Sequence, residues 1–311
     1  MTIKSPDIVL LEKKKFSLKF YGFMEQPMTP NLIEGNKFKI ILRDITEENI
    51  ENIQKEIEIV NSIGYINYFD DQRFGSFEQK QGFLAEEVLK RHFGEVLKIY
   101  LVSSCDSDKK DFFLKHWNDW KTCRKKAATK FEKKTFDFLI KNPVYFLSMI
   151  KQIPKEGLTN HFSAYNGYIW NEVLRRILRV KALSGLKSYP GAIGDYIFYS
   201  QLKNEDFSWF KDLFIPTLPY KFKNEEVLVD KIYNEVMESR GIKYSMFNKV
   251  KTRQVFFKSV LRKAFVKPEG LNFSIQDDDI YNSRKKLILS FILPRGSYGT
   301  ILIKRIFSSS K

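Results

Sequence analysis

"NYFDDQRFG", residues 67–75, decides how this chain is read. Within nine residues stand an amide, aromatic rings, adjacent carboxylates, a Gln-Arg pair and a closing glycine, with too little aliphatic content for a plain buried strand. The residues before it predict a helix from Thr46: a threonine cap, Glu47 and Glu48 in the first turn, Ile50, Ile53, Ile57 and Val60 at helical spacing, and Gly64 just past the end. The stretch therefore lies on a connection leaving a rigid element, where functional side chains are commonly placed. Farther upstream, residues 7–23 read as two strand-like runs and 36–45 as a third, so the chain opens inside a sheet.

The chain has 311 residues and 43% hydrophobic content, enough for a large core and for two domains. Its 53 Lys and Arg against 37 Asp and Glu leave a net charge of +16, which with 15% aromatic residues points to a polyanionic partner. The apolar run "LILSFILP" (287–294) is far short of the ~20 residues that cross a bilayer. The first residues carry neither a signal-peptide core nor a cleavage site, so a cytoplasmic location is expected. Cys105 and Cys123 lack the spacing of a zinc site and read as reduced thiols.

Residues 80–140 read as helical and charged, with 121–134 the most basic part, and 160–186 as a helix with an apolar face of Ile169, Val173, Ile177 and Val180 beside Arg175, Arg176 and Arg179. The block 241–268 holds Lys243, Lys249, Lys251, Arg253, Lys258, Arg262, Lys263 and Lys267 without an acidic residue. Tyr244, Phe247, Phe256, Phe257 and Phe265 interleave with these cations, a pattern suited to touching RNA backbone and bases together. Residues 284–307 read as a strand, a Pro/Gly turn, then a strand or helix. His92, His116 and His161 are scattered, "GAIG" (191–194) is too short for a phosphate loop, and "DDD" (277–279) reads as a solvated turn.

The opening stretch resembles the NYFGxQRFG motif of the TruD family of tRNA pseudouridine synthases, matching at Asn67, Tyr68, Phe69, Gln72, Arg73, Phe74 and Gly75 and departing at Asp70, where glycine is usual. Residues 34–45 resemble the family's GNxFxxxLR strand, 162–174 its SAxxSxLWNxxL helix and 291–306 its FxLPxGSYATxxLRE segment, in the family's order from about residue 16 onward. Smaller departures are Tyr220 and Gly299. The family's aspartate lies in a GxKDxxAxTxQ segment that occurs nowhere in these residues; Lys110-Asp111 and Lys211-Asp212 share only the dipeptide.

The resemblance implies an α+β fold: a pseudouridine-synthase catalytic domain with a mixed, largely antiparallel sheet (1–87 and 259–311), split by an inserted α/β RNA-gripping domain (88–258). It implies isomerisation of uridine 13 in the tRNA D-arm, with no cofactor and no metal, by a chain expected to be monomeric. The target nucleotide is flipped out of its stack into a pocket. By resemblance Phe69 lies against the base, Asn67 holds the aspartate and substrate, and Tyr298 lines the pocket from the far end of the chain. Arg73, Lys251, Arg253 and Arg262 are the candidate RNA contacts. Asp70 and Asp71 flank the stacking ring on one short turn and are not expected to replace the nucleophile, since catalysis tolerates a misplacement of only about 1 Å. Without the aspartate segment the expectation for these residues is tRNA binding without turnover, an unpaired sheet edge and low solubility. Either the chain is an RNA-binding remnant or these residues are part of a longer protein.

Overall fold

The computed structural model describes residues 10–13, 16–19, 22–23, 25, 27, 29, 32–181, 185–218, 226–247, 257 and 259–310. Strands β1 (Leu10–Lys13), β2 (Phe16–Lys19) and β3 (Gly35–Ile45) come first, then α1 (Ile50–Ile63) and β4 (Tyr65–Ile66). Helices α2 (Leu84–Lys90), α3 (Phe93–Val102), α4 (Ser107–Lys115), α5 (Trp120–Lys126), α6 (Lys130–Lys141), α7 (Phe146–Ile150) and α8 (Lys155–Lys181) follow without an intervening strand. Next are β5 (Leu186–Tyr189), β6 (Tyr196–Tyr199), α9 (Asn204–Asp212), β7 (Phe214–Pro216), α10 (Val227–Ser239) and α11 (Tyr244–Phe247). The chain ends with β8 (Leu261–Lys263), β9 (Phe265–Val266), β10 (Glu269–Asp277), β11 (Lys285–Pro294), α12 (Gly299–Ile306) and β12 (Ser309–Ser310). Every ladder between these strands is antiparallel, which makes the fold α+β.

The chain divides into two compact units. One, residues 1–45 and 268–296, holds the β1–β2 hairpin and the sheet β10-β11-β3. Along β11 the alternate residues Leu287, Leu289, Phe291 and Leu293 are buried, and Phe291 stacks on Phe38 directly across the ladder. The acidic run 277–279 is not simply solvated: Asp278 accepts from Arg43 at 2.7 Å and from the Asp44 and Ile280 amides, so it closes the β10–β11 turn from inside.

The other unit, residues 46–267 and 297–311, is mainly helical. Its longest element is α8, 27 residues that pack against α2, α10, β6 and the 3-10 turn at Asp71–Phe74. The apolar face expected on it ends at Ile177, because Val180 is exposed. Arg175 turns inward, bonding the Ile193 carbonyl and pairing with Glu172, so the three arginines do not form one outward stripe. The expected helix after Thr46 is present, its first turn being 3-10. Gly64 ends it at φ 106°, and any Cβ there would lie 2.5 Å from the Val266 carbonyl, so glycine is required both by the turn and by the close approach of β9. The segment left open between strand and helix at the chain's end is helix α12.

Glu56 of α1, Arg305 of α12 and Lys187 of β5 form a buried ionic cluster. Burial pushes the Glu56 carboxyl up, but the hydrogen bonds from Lys187 and Arg305 outweigh it and hold the group below its ordinary value. Among the described residues no helix is long and apolar enough to cross a membrane, and no cluster of His, Cys, Asp or Glu is grouped to hold a metal ion. Replacing Glu56 by Gln strands two cations in the interior and is expected to destabilise the fold by about 3–5 kcal/mol in urea denaturation; an unchanged midpoint would show that the cluster is not structural.

Candidate functional site

The stretch 67–75 is held by α8. Asn171 is fully buried in the middle of that helix, and its side-chain amide accepts from Phe69 N at 2.9 Å and donates to Phe69 O at 2.8 Å. Both polar groups of one loop residue are thus satisfied as a neighbouring strand would satisfy them. Trp170, the preceding residue, donates its indole N–H to Ile215 O and places its ring edge-on to Phe69, centroids 5.5 Å apart. One turn earlier Gly167 lets the loop close in: a Cβ there would stand 3.2 Å from Cγ of both Phe69 and Arg73.

Arg262 of β8 locks the other side. Its guanidinium donates to Asn67 O and to Asn67 Oδ1, both at 2.9 Å, and lies 4.1 Å from the centroid of Phe69. Burial brings it down to about 10, which the neighbouring Tyr298 and Tyr65 phenols oppose, so it stays charged at neutral pH. Asn67 also donates its Nδ2 to Lys263 O at 3.0 Å, and its N–H continues the β4–β9 pairing by bonding Ala264 O.

Tyr298 stands at the N-cap of α12, half-buried, with its ring 6.3 Å from that of Phe69 at 66°. Its carbonyl accepts from Tyr65. From the next turns of α12, Thr300 and Lys304 reach Asp70 at 2.7 and 2.6 Å, while Lys304 also reaches Asp71 at 2.5 Å and lies over the Tyr196 ring. Asp71 further accepts from Tyr196 Oη at 2.7 Å and from the Ala192 amide. Burial raises the Asp71 carboxyl, and these contacts, led by Lys304, bring it below its usual value. Both carboxylates therefore serve as ties between the loop and α12.

Asn67, Phe69 and Tyr298 are thus brought into one cluster from distant parts of the chain, with Arg73 over the Phe69 ring at 5.3 Å. Arg262, expected at the RNA surface, directs its guanidinium into this cluster. Lys251, Arg253 and Tyr220 lie outside the described residues. Two aromatics of the 241–268 block do not face outward: Phe257 packs on Phe162, and Phe265 is buried in β9 against Tyr199. Sequence reading missed Asn171, Gly167, Thr300 and Lys304 as supports. The available signal was an asparagine beside tryptophan on the apolar face of an amphipathic helix, which must find a partner.

This fold is shared with the crystal structure of the putative tRNA pseudouridine synthase D from Methanosarcina mazei, with a TM-score of 0.68 and 21% identity, covering 88% of this chain and 68% of that one. The chain belongs to the TruD family: the family model described as "tRNA pseudouridine synthase D (TruD)" matches residues 1–306. The probable tRNA pseudouridine synthase D 1 of Methanococcus maripaludis is 31% identical, covering 96% of this chain and 78% of that protein. The tRNA pseudouridine synthase D of Aquifex aeolicus is 30% identical, covering 95% and 75%. The family is one of pseudouridine synthases, which are isomerases.

Asn171→Ala leaves the buried Phe69 amide and carbonyl unpaired and is expected to cost roughly 2–5 kcal/mol in urea denaturation. Asn171→Asp should also destabilise, since a carboxylate cannot donate to Phe69 O; stability equal to the parent in both variants would remove the clamp from this account. His161, buried on α8, is pushed down to about 4 by burial, with a bond at the Ser76 backbone opposing. The unfolded chain takes up this proton near 6.5 and the folded chain only near 4. Stability contributed by neutral His161 is full above pH 6.5 and falls towards pH 4, by on the order of 3 kcal/mol. His161→Gln should flatten that part of the stability profile.

Proposed function

We propose that this chain is the base-receiving body of a tRNA pseudouridine synthase, acting on uridine 13 of the D-arm. The observation that carries the reading is the cluster of Phe69, Tyr298 and Asn67, held rigid by Asn171 and Arg262. Converting uridine to pseudouridine requires uracil to leave its N-glycosidic bond, turn, and return through carbon to the same ribose. During this the base has lost its neighbours in the stack, and an aromatic face must replace them.

In this reading Phe69 supplies that face, worth about 1–3 kcal/mol per base. Tyr298 stands beside it, ring centroids 6.3 Å apart, and Asn67 offers its second amide hydrogen and a free lone pair to the base edge or to the attacking carboxylate. Arg262 positions Asn67 and Phe69. Arg73 and the cations of 241–268 other than Arg262, with Lys251 and Arg253 among them, meet the phosphates, and residues 88–258 grip the RNA. No cofactor is called for, and the location is the cytoplasm, where tRNA is found.

Asp70 and Asp71 do not serve as the nucleophile, because Lys304, Thr300 and Tyr196 already engage them. The family's aspartate segment has no counterpart in these 311 residues.

The 311-residue chain should bind tRNA and lose roughly 10³ to 10⁵ in affinity between 50 and 200 mM salt if six to ten phosphates are neutralised. Phe69→Ala should weaken binding of tRNA carrying uridine 13 by about five- to a hundredfold. Nucleoside analysis of tRNA incubated with this chain should show no new pseudouridine. Its appearance would mean that a carboxylate within these residues attacks, and salt-insensitive binding would overturn the RNA reading.

A further inference from the structure

Beside the Phe69 loop lies a cavity of about 310 Å³. Six residues line it besides Gly75: Gln72 and Arg73 of the loop, Ser76 after it, Ser103 at the end of α3, and Asn160 and Ser163 on α8. The backbone at Gly75 completes the rim, where an added Cβ would meet nothing within 4 Å.

The chemistry of this lining is narrow. Every side chain can donate a hydrogen bond, one is a permanent cation, and none is a carboxylate. An anion therefore meets donors and no repulsion. No aromatic or aliphatic side chain borders the space, so an apolar ligand would find no face to pack on. The volume is at the small end of ligand sites, roughly 300–1,000 Å³, room for a sugar phosphate and little more.

Its position links it to the base-receiving cluster. Asn160, Ser163, Gly167 and Asn171 follow one another along one face of α8 at helical spacing. Asn171 clamps Phe69, Gly167 touches both Phe69 and Arg73, and Ser163 and Asn160 continue the line into the cavity. Arg73 belongs to both places, with its guanidinium 5.3 Å from the Phe69 ring.

We propose that this cavity binds one ribose phosphate, that of the nucleotide adjoining the base held on Phe69, with Arg73 on the phosphate and the Asn160 and Ser163 side chains on its oxygens and the ribose hydroxyls. The proposal rests on the base-receiving reading of Phe69 and adds the seat of the neighbouring nucleotide. The same chemistry is offered by a strand of RNA and by a free nucleoside monophosphate.

The test uses the full 311-residue chain and Asn160→Asp, which changes charge but not shape at an exposed helix position, with Ser163→Asp as a second variant. Each should melt as the parent does and bind a D-arm RNA about tenfold or more weakly. A set of RNAs, each with one phosphate replaced by neutral methylphosphonate, should include one next to the target uridine for which the Asn160→Asp penalty disappears. Variants that bind every RNA like the parent, or a penalty that persists across the whole set, would overturn the proposal. Uridine 5′-monophosphate is titrated in parallel. Binding of it that displaces RNA and weakens in Asn160→Asp supports the same site filled from a free nucleotide. If the parent binds neither tRNA nor the mononucleotide, the proposed function falls as well; if tRNA binding is normal and only the variants are silent, this inference alone falls.

Discussion

The two hydrogen bonds between the Asn171 side chain and the Phe69 backbone are the constraint on which the site depends. A short loop that must present a ring to a ligand cannot rely on a sheet to satisfy its own amide and carbonyl. Here one asparagine, fully buried on a long helix, satisfies both at a single residue, so the orientation of Phe69 follows that of α8. Trp170 beside it and Gly167 a turn earlier set the ring's edge contact and its distance from the helix. Losing a fraction of an ångström at Gly167 would shift the same ring, because a Cβ there enters its contact distance.

Charge is used for connection throughout this unit. Arg262 joins Asn67 to the face of Phe69, and Lys304 joins Asp70 and Asp71 to α12, the helix whose first residue follows Tyr298. A buried guanidinium is costly to desolvate, and the carbonyls and rings around Arg262 offset part of that cost while keeping the charge at neutral pH. Asp70 stands where the family usually has glycine, and the structure shows what the carboxylate adds: an anchor to Thr300 and Lys304. The loop is thereby fixed at Phe69 by an amide and at the next two residues by ions.

Much of this was legible in the residues, and the rest fails for physical reasons. The helix before the motif carries its own cap, first-turn acids, period and terminal glycine, all local signals. The close approach that also demands Gly64 comes from Val266, some 200 residues away, and no local pattern reports it. Strands β4, β7, β8 and β9 are two or three residues long, too short to alternate visibly. "TILIKRI" fits period 2 and period 3.6 alike; Thr300 and Lys304 on one face towards Asp70 decide for the helix. The basic block misled where it was described, since a ring among lysines reads as an exposed contact although Phe265 fills the core behind Tyr199. The motif names Asn67, Phe69 and Tyr298, whose contacts run through the Phe69 ring and Arg262, while their supports on α8 and α12 needed coordinates.

The central claim is that the rigidly held pair Phe69 and Tyr298 receives a nucleobase drawn out of its helix. Its most direct measurement is photocross-linking of this chain to tRNA carrying 5-iodouridine at position 13, followed by mass spectrometry of the joined peptide. The account predicts attachment within residues 67–75 or 297–300, at Phe69 or Tyr298. Cross-links confined to other parts of the chain would contradict it.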